Sequence, residues 1–197
     1  MHQRSVARCS YASLSALLAL AAALADAAGQ APALALKPGL WDVRLVKQVV
    51  DGRDISTQAT ASLAQAQQLL ANLPPVQRAR LEGMLNQAGV AEGSNGSFHI
   101  CVSPAMAQHD LPFLDRQGHC QPVLLSRNSH AVSFRFRCTT NGTSVSGKGR
   151  SLLLSGDRVD THTELTSRGP DGVAHALQND TEMRYVSASC GTLKPPA

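Results

Sequence analysis

Apolar and polar residues alternate along 39–50, which is the pattern of a half-buried β-strand. Trp41 and Val43 fall on one side of such a strand, and Asp42 and Arg44 fall on the other. Successive side chains of a strand point to opposite faces, so one side packs and the other meets water. We therefore predict a strand here, with the single tryptophan of the chain in the core.

The second half of the chain repeats this alternation in segments separated by turn signals. Asn141-Gly142 is a strong two-residue hairpin signal, and residues 155–157 and 169–172 are rich in turn formers. The further predicted strands are 97–102, 120–127, 131–138, 143–154, 158–167 and 173–187. Successive strands with short turns favour a mainly β fold: a curved antiparallel meander with an open, barrel-like shape.

Two short helices are predicted between the first and second strands. Residues 62–72 are rich in Ala, Gln and Leu, which favour helix. Pro75 suits the first turn of a second helix over 76–88, and Gly89 suits its end. Apolar residues follow this second helix at helical spacing: Leu81, Met84, Leu85 and Ala88. We expect this stripe to dock on the sheet; a ligand-contacting face is the alternative.

The last predicted strand, 173–187, has two unlike sides. His175 shares the apolar side with Leu177 and Met183. We interpret this histidine as a buried, hydrogen-bonded residue rather than a ligand. Glu182 falls on the other side, together with Asp180 and Arg184.

Cysteine positions indicate how two neighbouring strands pair. A polar Asn-Ser-His turn centred on Ser129 separates them, so paired residue numbers sum to 258 and Cys120 lies opposite Cys138. Directly opposed Cβ atoms are about 4.5–5.5 Å apart, close to the separation in a disulfide. In this register the even-numbered side chains form the apolar face, while Arg135 and Arg137 point to water. Pairing and alternation therefore agree on a Cys120–Cys138 bridge.

The remaining cysteines of the predicted mature chain, Cys101 and Cys190, then pair by elimination. An even cysteine count in an exported chain favours disulfides. The alternative is a metal site, because His99-x-Cys101 and His119-Cys120 put imidazole beside thiol. Zinc sites usually have paired ligands at short, fixed spacings, and no CxxC or HExxH occurs in the sequence. We predict a disulfide framework with no cofactor and no metal.

The N-terminus has the three parts of a secretory signal peptide. Arg4 and Arg8 are basic, 14–24 is apolar, and the tripeptide ending at Ala25 fits the small-x-small cleavage rule. The apolar run is shorter than the about 20 residues of a membrane-spanning helix, so we predict no transmembrane segment in the mature chain. We expect a periplasmic protein, with secretion as the alternative. The predicted parts are a signal peptide, a flexible lead-in and a single disulfide-stapled β-rich domain: 1–25, 26–38 and 39–193.

Net charge argues against one class of partner. The whole chain carries 18 Lys and Arg against 14 Asp and Glu, a net charge of +4. The predicted signal peptide holds two of the arginines, so the mature chain has 16 − 14 = +2. Charges of both signs are scattered, and no basic stripe is interleaved with aromatic residues. We therefore predict no nucleic-acid binding.

Several segments together resemble the bacterial family catalogued as domain of unknown function 3617. They are Lys-Pro-Gly-Leu-Trp-Asp-Val at 37–43, Leu-Pro-Pro-Val-Gln-Arg at 73–78 leading into Leu-Glu-Gly-Met-Leu at 81–85, and Cys-Val-Ser-Pro-Ala at 101–105, with three later cysteines. Members look like secreted or periplasmic proteins. The family carries no established activity, so the resemblance transfers no catalytic residue.

One pair of residues is a candidate for acid/base chemistry. His162 and Glu164 lie two apart on a predicted strand and so face the same way, as an acid/base pair or half a metal site. Arg158, Asp160 and Thr166 share their parity. We therefore favour a polar, solvated sheet face and predict no catalytic residue.

Taken together, these patterns predict a non-enzymatic module of the bacterial cell envelope that binds a partner protein or a small apolar ligand. Enzymatic activity stays open. One alternative is a periplasmic metal-binding protein that uses histidine and the methionines Met84, Met106 and Met183. The other is a hydrolase that uses His162 and Glu164.

Overall fold

A computed structural model describes residues 36–109 and 119–195. These residues form nine strands and three helices, and the predicted signal peptide lies outside them. The elements in chain order are β1 (Gly39–Val50), β2 (Arg53–Asp54), α1 (Ser56–Ala71), α2 (Pro75–Gln87), β3 (Val90–Glu92), β4 (Phe98–Val102), α3 (Pro104–Ala107), β5 (Cys120–Arg127), β6 (Ala131–Thr140), β7 (Thr143–Ser155), β8 (Arg158–Arg168) and β9 (Ala174–Ser187).

All nine strands belong to one antiparallel sheet. Its order is β3-β4-β1-β9-β8-β7-β6-β5, and β2 pairs with β1 beside this path. Within the described residues the outermost strands β3 and β5 do not pair, so the sheet is open. Register shifts interrupt β1, β5 and β7, and such bulges bend strands and increase their twist. The predicted curved, open antiparallel meander is confirmed.

Tight turns set the register of the meander. Asn141 and Gly142 have φ values of 50° and 77°, as a two-residue hairpin turn with both central residues left-handed requires. Thr140 pairs with Thr143 directly across this turn. At the preceding turn, the side-chain oxygen of Asn128 accepts from the backbone N–H groups of His130 and Ala131 at 2.9 and 2.8 Å. Local residue chemistry therefore fixes which side chains oppose one another.

Strand alternation gives the sheet two distinct faces. The core face carries Trp41, Val43 and Met183, and the outer face carries Asp42 and Arg44. Trp41 is fully buried, as predicted, and its indole N–H donates to the carbonyl of Lys37 at 2.9 Å. Its ring meets Tyr185 edge-on with centroids 5.5 Å apart.

Burial is uneven along the core face. The buried cluster is centred on one end of the sheet, which we call the covered end: Leu36, Trp41, Val43, Ile100, Val102, Met106, Val132, Phe134, Val159 and Met183. We call the other end the open end. It comprises the row Pro122, Phe136, Gly147, Leu165 and Leu177 and the row beyond it, Cys120, Cys138, Val145, Ser167 and His175, and none of these residues is buried.

Two aromatic rings lie over glycines of the neighbouring strand. Phe134 pairs with Gly149, and Phe136 pairs with Gly147. A Cβ added to Gly149 would lie 2.5 Å from Cζ of Phe134, and one added to Gly147 would lie 2.9 Å from Cζ of Phe136. A side chain at either glycine would displace the ring, so these positions need glycine for close approach.

Helix α3 closes the covered end. The hydroxyl oxygen of Ser103 accepts from the backbone N–H of Met106 at 3.1 Å, and Pro104 occupies the first helical position. Serine at the cap and proline at the first helical position are residue types that favour the start of a helix. The short helix places Met106, which is fully buried, in the core cluster.

Helix α2 does not dock as expected. It has no buried residue, and Met84 of the predicted docking stripe is 60% exposed. Polar contacts attach the helical pair instead. Gln67 of α1 donates to the carbonyl of Ser97 at 2.7 Å, and Asn86 of α2 donates to the carbonyl of Thr192 at 3.2 Å. Helical spacing reveals an apolar stripe, but it does not reveal what lies against it.

Helix α1 begins at Ser56, six residues before the predicted start at Ser62. The Asp54 carboxylate accepts from the backbone N–H of Ser56 at 2.9 Å, which satisfies a donor at the beginning of the helix. The strands β2 and β3, with two and three residues, were not predicted because they are too short to show alternation.

Candidate functional site

An open groove crosses the outer face at the open end of the sheet. Its volume is about 760 Å³, and all five strands from β5 to β9 contribute to its lining. Small-molecule sites typically have volumes of about 300–1,000 Å³. The polar and charged lining residues that matter here are Arg135, Arg137, Ser146, Lys148, Glu164 and Gln178.

Cations dominate one wall of this groove. Arg135 and Arg137 lie two apart on β6, and Lys148 of β7 is directly opposite Arg135. Arg150 follows on the same face of β7, beside the groove. We call these four residues the cationic band. Among the described residues it has one carboxylate partner, because Glu164 accepts from Nζ of Lys148 at 3.1 Å.

The band could have been found from the sequence. The two-residue turn at Asn141-Gly142 makes paired residue numbers of β6 and β7 sum to 283, as Thr140 and Thr143 do. The same sum places Arg135 opposite Lys148. Arg135 lies on the outer face, as its place in the β5–β6 register predicts, and the β6–β7 register adds Lys148 beside it.

His162 lies next to the band and is enclosed by carboxylates. Its Nδ1 is 2.5 Å from Oδ1 of Asp180 on β9, and its Nε2 is 3.4 Å from Oε1 of Glu164 on its own strand. The Asp180 hydrogen bond, and then the weaker one to Glu164, raise the pKa of His162. Lys148 and then His162 lower the pKa of Glu164. The side chains of His162 and Glu164 are 49% and 44% exposed, which fits a solvated sheet face.

His175 is exposed, and the expectation that it is buried is wrong. Its Nδ1 is 2.7 Å from Oδ2 of Asp51, which lies in the β1–β2 turn. The other carboxylate oxygen of Asp51 accepts from the backbone N–H of Ala176 at 2.7 Å. The Asp51 hydrogen bond raises the pKa of His175. Parity placed His175 on the core face, but that face is not covered at the open end.

Glu182 is buried on the outer face. Its side chain is 10% exposed and lies between two arginines. Nε and Nη2 of Arg184 lie 2.5 and 3.1 Å from its two carboxylate oxygens, and Nη2 of Arg158 is 2.8 Å away. The Arg184 hydrogen bond, together with the charge of Arg158, lowers the pKa of Glu182. The two arginines offset the desolvation cost of burying this carboxylate.

A serine, an aspartate and a histidine meet near the covered end, but not in the order that catalysis needs. The hydroxyl of Ser97 donates to Oδ2 of Asp42 at 2.5 Å, and Nε2 of His99 is 3.4 Å from the same oxygen. In a hydrolytic triad the histidine lies between the serine and the carboxylate. Here the carboxylate lies between the other two, and Ser97 is 1% exposed. The cluster is therefore a structural contact between β1 and the start of β4.

Both cysteine pairs lie at disulfide distance. Cys120 and Cys138 are directly opposed across β5 and β6, with Cα atoms 4.0 Å apart. Cys101 and Cys190 have Cα atoms 5.6 Å apart and join β4 to the segment after β9. The register sum of 258 holds from Cys120 to Leu124, and a bulge then changes it nearer the turn.

The residues that could ligate a metal are not grouped in the part of the chain that the structure describes. No set of three His, Cys, Asp or Glu side chains there has the arrangement of a metal site. Met106 and Met183 pack in the core cluster, while Met84 lies exposed on α2. Over the same residues, no helix is both long and apolar enough to cross a bilayer.

Comparison with known proteins identifies the family. The profile described as "Protein of unknown function (DUF3617)" matches residues 36–190, from just before β1 to the last cysteine. The chain belongs to this family. A relative from Pseudomonas putida, described as "Uncharacterized protein in lpd-3 5'region", is 35% identical over 150 residues, which cover 76% of this chain and 94% of the relative. No solved structure matches.

The DUF3617 match confirms the resemblance drawn from the Lys-Pro-Gly-Leu-Trp start and the Cys-Val-Ser-Pro step. Both segments lie at the covered end, in β1 and at the junction of β4 and α3. Neither the family description nor that of the relative assigns an activity. The function of this DUF3617 protein must therefore be inferred from its own side chains, and the groove is the strongest candidate site.

Proposed function

We propose that the protein is a non-enzymatic binding module of the bacterial cell envelope that holds a small ligand in the outer-face groove. The observation that carries this proposal is the groove itself, about 760 Å³ in volume and lined by side chains from five strands. Residues from an extensive hydrogen-bonded sheet give a binding surface a rigid frame.

The chemistry around the groove favours binding over hydrolysis. Both ring nitrogens of His162 face carboxylates, Asp180 and Glu164. A general base needs a free ring nitrogen within reach of the proton that it removes. The neighbouring carboxylates hold that imidazole in an electrostatic network, so we assign His162 to the polar sheet face beside the groove rather than to a reaction.

The proposed location is the periplasm, reached through a cleaved signal peptide. Support comes from the basic start, the apolar run and the small-x-small step at Ala25. Two cysteine pairs at disulfide distance add support, because structural disulfides persist in oxidising compartments. N-terminal sequencing of protein from the periplasmic fraction should begin at Asp26. Uncleaved protein confined to the cytoplasm would contradict the proposal.

A ligand screen with a groove-filling variant tests the binding function. We expect a chemically diverse library to contain compounds that raise the melting temperature of the protein. Ser146→Trp places an indole on the groove lining and should abolish these shifts, as should Ala176→Trp, an independent filling variant. Leu154→Trp is the matched control, because Leu154 is a 55% exposed residue of the same strand outside the groove lining.

Two results would contradict the proposal. Ligands that bind the filled variants as well as the wild type would place binding elsewhere. Mass spectrometry that finds a bound ligand chemically converted would favour the hydrolase alternative, whereas we expect ligands to be recovered unchanged.

A further inference from the structure

The cationic band is not neutralised by the protein itself. In the groove lining, Arg135, Arg137 and Lys148 provide three positive charges and Glu164 provides one negative charge, so the net charge of the lining is 3 − 1 = +2. Arg150, the fourth cation of the band, lies beside the groove. Among the described residues, the three arginines have no carboxylate partner. The predicted mature chain has a net charge of only +2, so the groove lining alone carries an excess of positive charge as large as that of the whole predicted mature chain.

This arrangement costs the folded protein stability. Like charges directly opposite each other on neighbouring strands are destabilising, and Arg135 lies directly opposite Lys148. Elsewhere on the same face, arginines are paired: Arg158 with Asp160 at 3.0 Å, and Arg184 with Glu182. The band differs from these two paired arginines, and it borders the groove.

We propose that the groove binds a multivalent oxyanion, a ligand with two or more phosphate or carboxylate groups. This inference rests on the proposed function and names the ligand class of the same groove. It differs from the small apolar ligand expected from the sequence, because guanidinium and ammonium donors line one wall of the groove.

The spacing of the band sets the shape of the ligand. Arg135 and Arg137 lie two residues apart on one strand, which separates them by about 7 Å. Each guanidinium presents a planar fork that matches the two oxygens of a carboxylate or phosphate. Lys148 acts as a point charge between β6 and β8, steadied by Glu164. Anionic groups about 7 Å apart can therefore be held at the same time.

Polar groups beside the band can complete recognition. Ser146 is directly opposite Arg137, and Thr166 is directly opposite Ser146 on β8. Gln178 of β9 pairs with Glu164 across the next strand boundary. Hydroxyl and amide donors at these positions can bond oxyanion oxygens that the arginines leave unpaired.

Isothermal titration calorimetry with inorganic tripolyphosphate tests the inference, with citrate as a carboxylate probe. We expect saturable binding by the purified protein that weakens as salt is raised. The double variant Arg135→Gln/Arg137→Gln should bind about tenfold or more weakly, since each charge-assisted hydrogen bond is worth about tenfold or more in affinity. The double variant Arg135→Lys/Arg137→Lys keeps the charge but removes the planar guanidinium groups. Its affinity should lie between that of the wild type and that of Arg135→Gln/Arg137→Gln.

The matched control is Arg53→Gln/Arg80→Gln. It removes the same net charge from β2 and α2, outside the groove, and should bind like the wild type. If both glutamine double variants lost the same affinity, the loss would depend only on the net charge of the protein, and the inference would be overturned. Absence of saturable binding of either probe at millimolar concentration, together with no binding to anionic vesicles, would also overturn it.

A vesicle arm separates two sources of the same chemistry. Vesicles of phosphatidylcholine with phosphatidylglycerol should co-sediment with the wild type, and less with Arg135→Gln/Arg137→Gln, if the oxyanions belong to lipid headgroups. Binding of tripolyphosphate without vesicle binding would assign the groove to free oxyanions. Either result supports the inference.

Failure of this inference is distinguishable from failure of the proposed function. Suppose that neutral ligands bind the wild type and Arg135→Gln/Arg137→Gln equally well but do not bind Ser146→Trp. The proposed binding function would then stand, and the oxyanion inference would be excluded. If oxyanions bound Ser146→Trp as tightly as they bind the wild type, the groove would not be their site. That result would exclude both the oxyanion inference and the proposed function of the groove.

Discussion

The covered end and the open end of the sheet share one alternating pattern but differ in what lies on them. At the covered end, Leu36 and Met106 from outside the sheet pack against Trp41, and the core is fully buried. At the open end, Leu165 and Leu177 occupy the same face and are only half-buried. Alternation therefore specifies the direction of a side chain, and burial depends on a second layer.

The outer face differs between the two ends in a matching way. Near the covered end its charges are paired, with Glu182 held by Arg158 and Arg184. At the open end Arg135 and Arg137 remain without carboxylates among the described residues, beside a groove. Glu182 is paired within the protein, whereas Arg135 and Arg137 remain for the ligand that we propose.

The two disulfides give the largest predicted difference between the ends. Cys101–Cys190 closes a loop with a sequence separation of 89, and Cys120–Cys138 closes one of 18. Chain-entropy values are about 4.5 and about 3 kcal/mol. We expect the double serine variant of the first pair to lose more free energy of unfolding in urea than that of the second. Equal losses, or the reverse order, would contradict this comparison.

Buried and exposed carboxylates should respond differently to the same substitution. Glu182→Gln leaves two arginines without their shared anion and should lower the free energy of unfolding by about 3 kcal/mol. Glu164→Gln, in a half-exposed pair with Lys148, should lower it much less, because solvent screens an exposed ion pair. Because the pKa of Glu182 is lowered, its contribution is present above the ordinary glutamate pKa and is lost as the pH falls through the folded value. Urea titrations at pH 7 and below pH 4 measure both effects, and a larger loss for Glu164→Gln at pH 7 would be inconsistent with them.

Two apolar residues on the same face of β9 differ in burial. Met183 is 7% exposed at the covered end, and Leu177 is half-buried at the open end. Met183→Ala should cost about 2.5 kcal/mol through lost burial and a residual cavity, and Leu177→Ala about 1 kcal/mol, since less apolar area is lost. Thermal unfolding of both variants checks the order. Similar losses would mean that Leu177 is covered as completely as Met183.

The smallest predicted effect is a pH dependence at the histidines. Asp180 raises the pKa of His162, and Asp51 raises that of His175. A raised histidine pKa adds stability that is complete below about pH 6.5, the ordinary value, and is lost as the pH rises through the folded value. The urea concentration at the unfolding midpoint should therefore decrease slightly as the pH rises above about 6.5. The decrease should be smaller in the double variant His162→Gln/His175→Gln. NMR titration of the ring protons checks the direction, and a folded pKa below about 6.5 for either histidine would refute it.

Local chemistry made much of the fold predictable. The turn at Asn141-Gly142 and the cysteine register of β5 and β6 could be read from neighbouring residues, and the capped helix at Ser103 followed from its residue types. Contacts between distant segments could not be read in this way. Asp51 reaches His175 from a different part of the chain, and the apolar stripe of α2 has no sequence signal for its surroundings. Predicting the groove requires the strand registers of β5 to β9 together. The sequence alone provides one of these registers, because the Asn141-Gly142 turn places Arg135 opposite Lys148.

The position of β1 between β4 and β9 has a consequence for the order of folding. The hairpins from β5 to β9 pair segments adjacent in sequence, and such local contacts form quickly. Strand β1 must instead pair with the last strand, as Asp42 does with Arg184. Trp41 therefore reaches its final place only after the C-terminal strand is complete. In a chain that ends before Met183, the Trp41 half of the core would lack its neighbouring strand, so a fluorescence signal from this single tryptophan would report the last step of assembly.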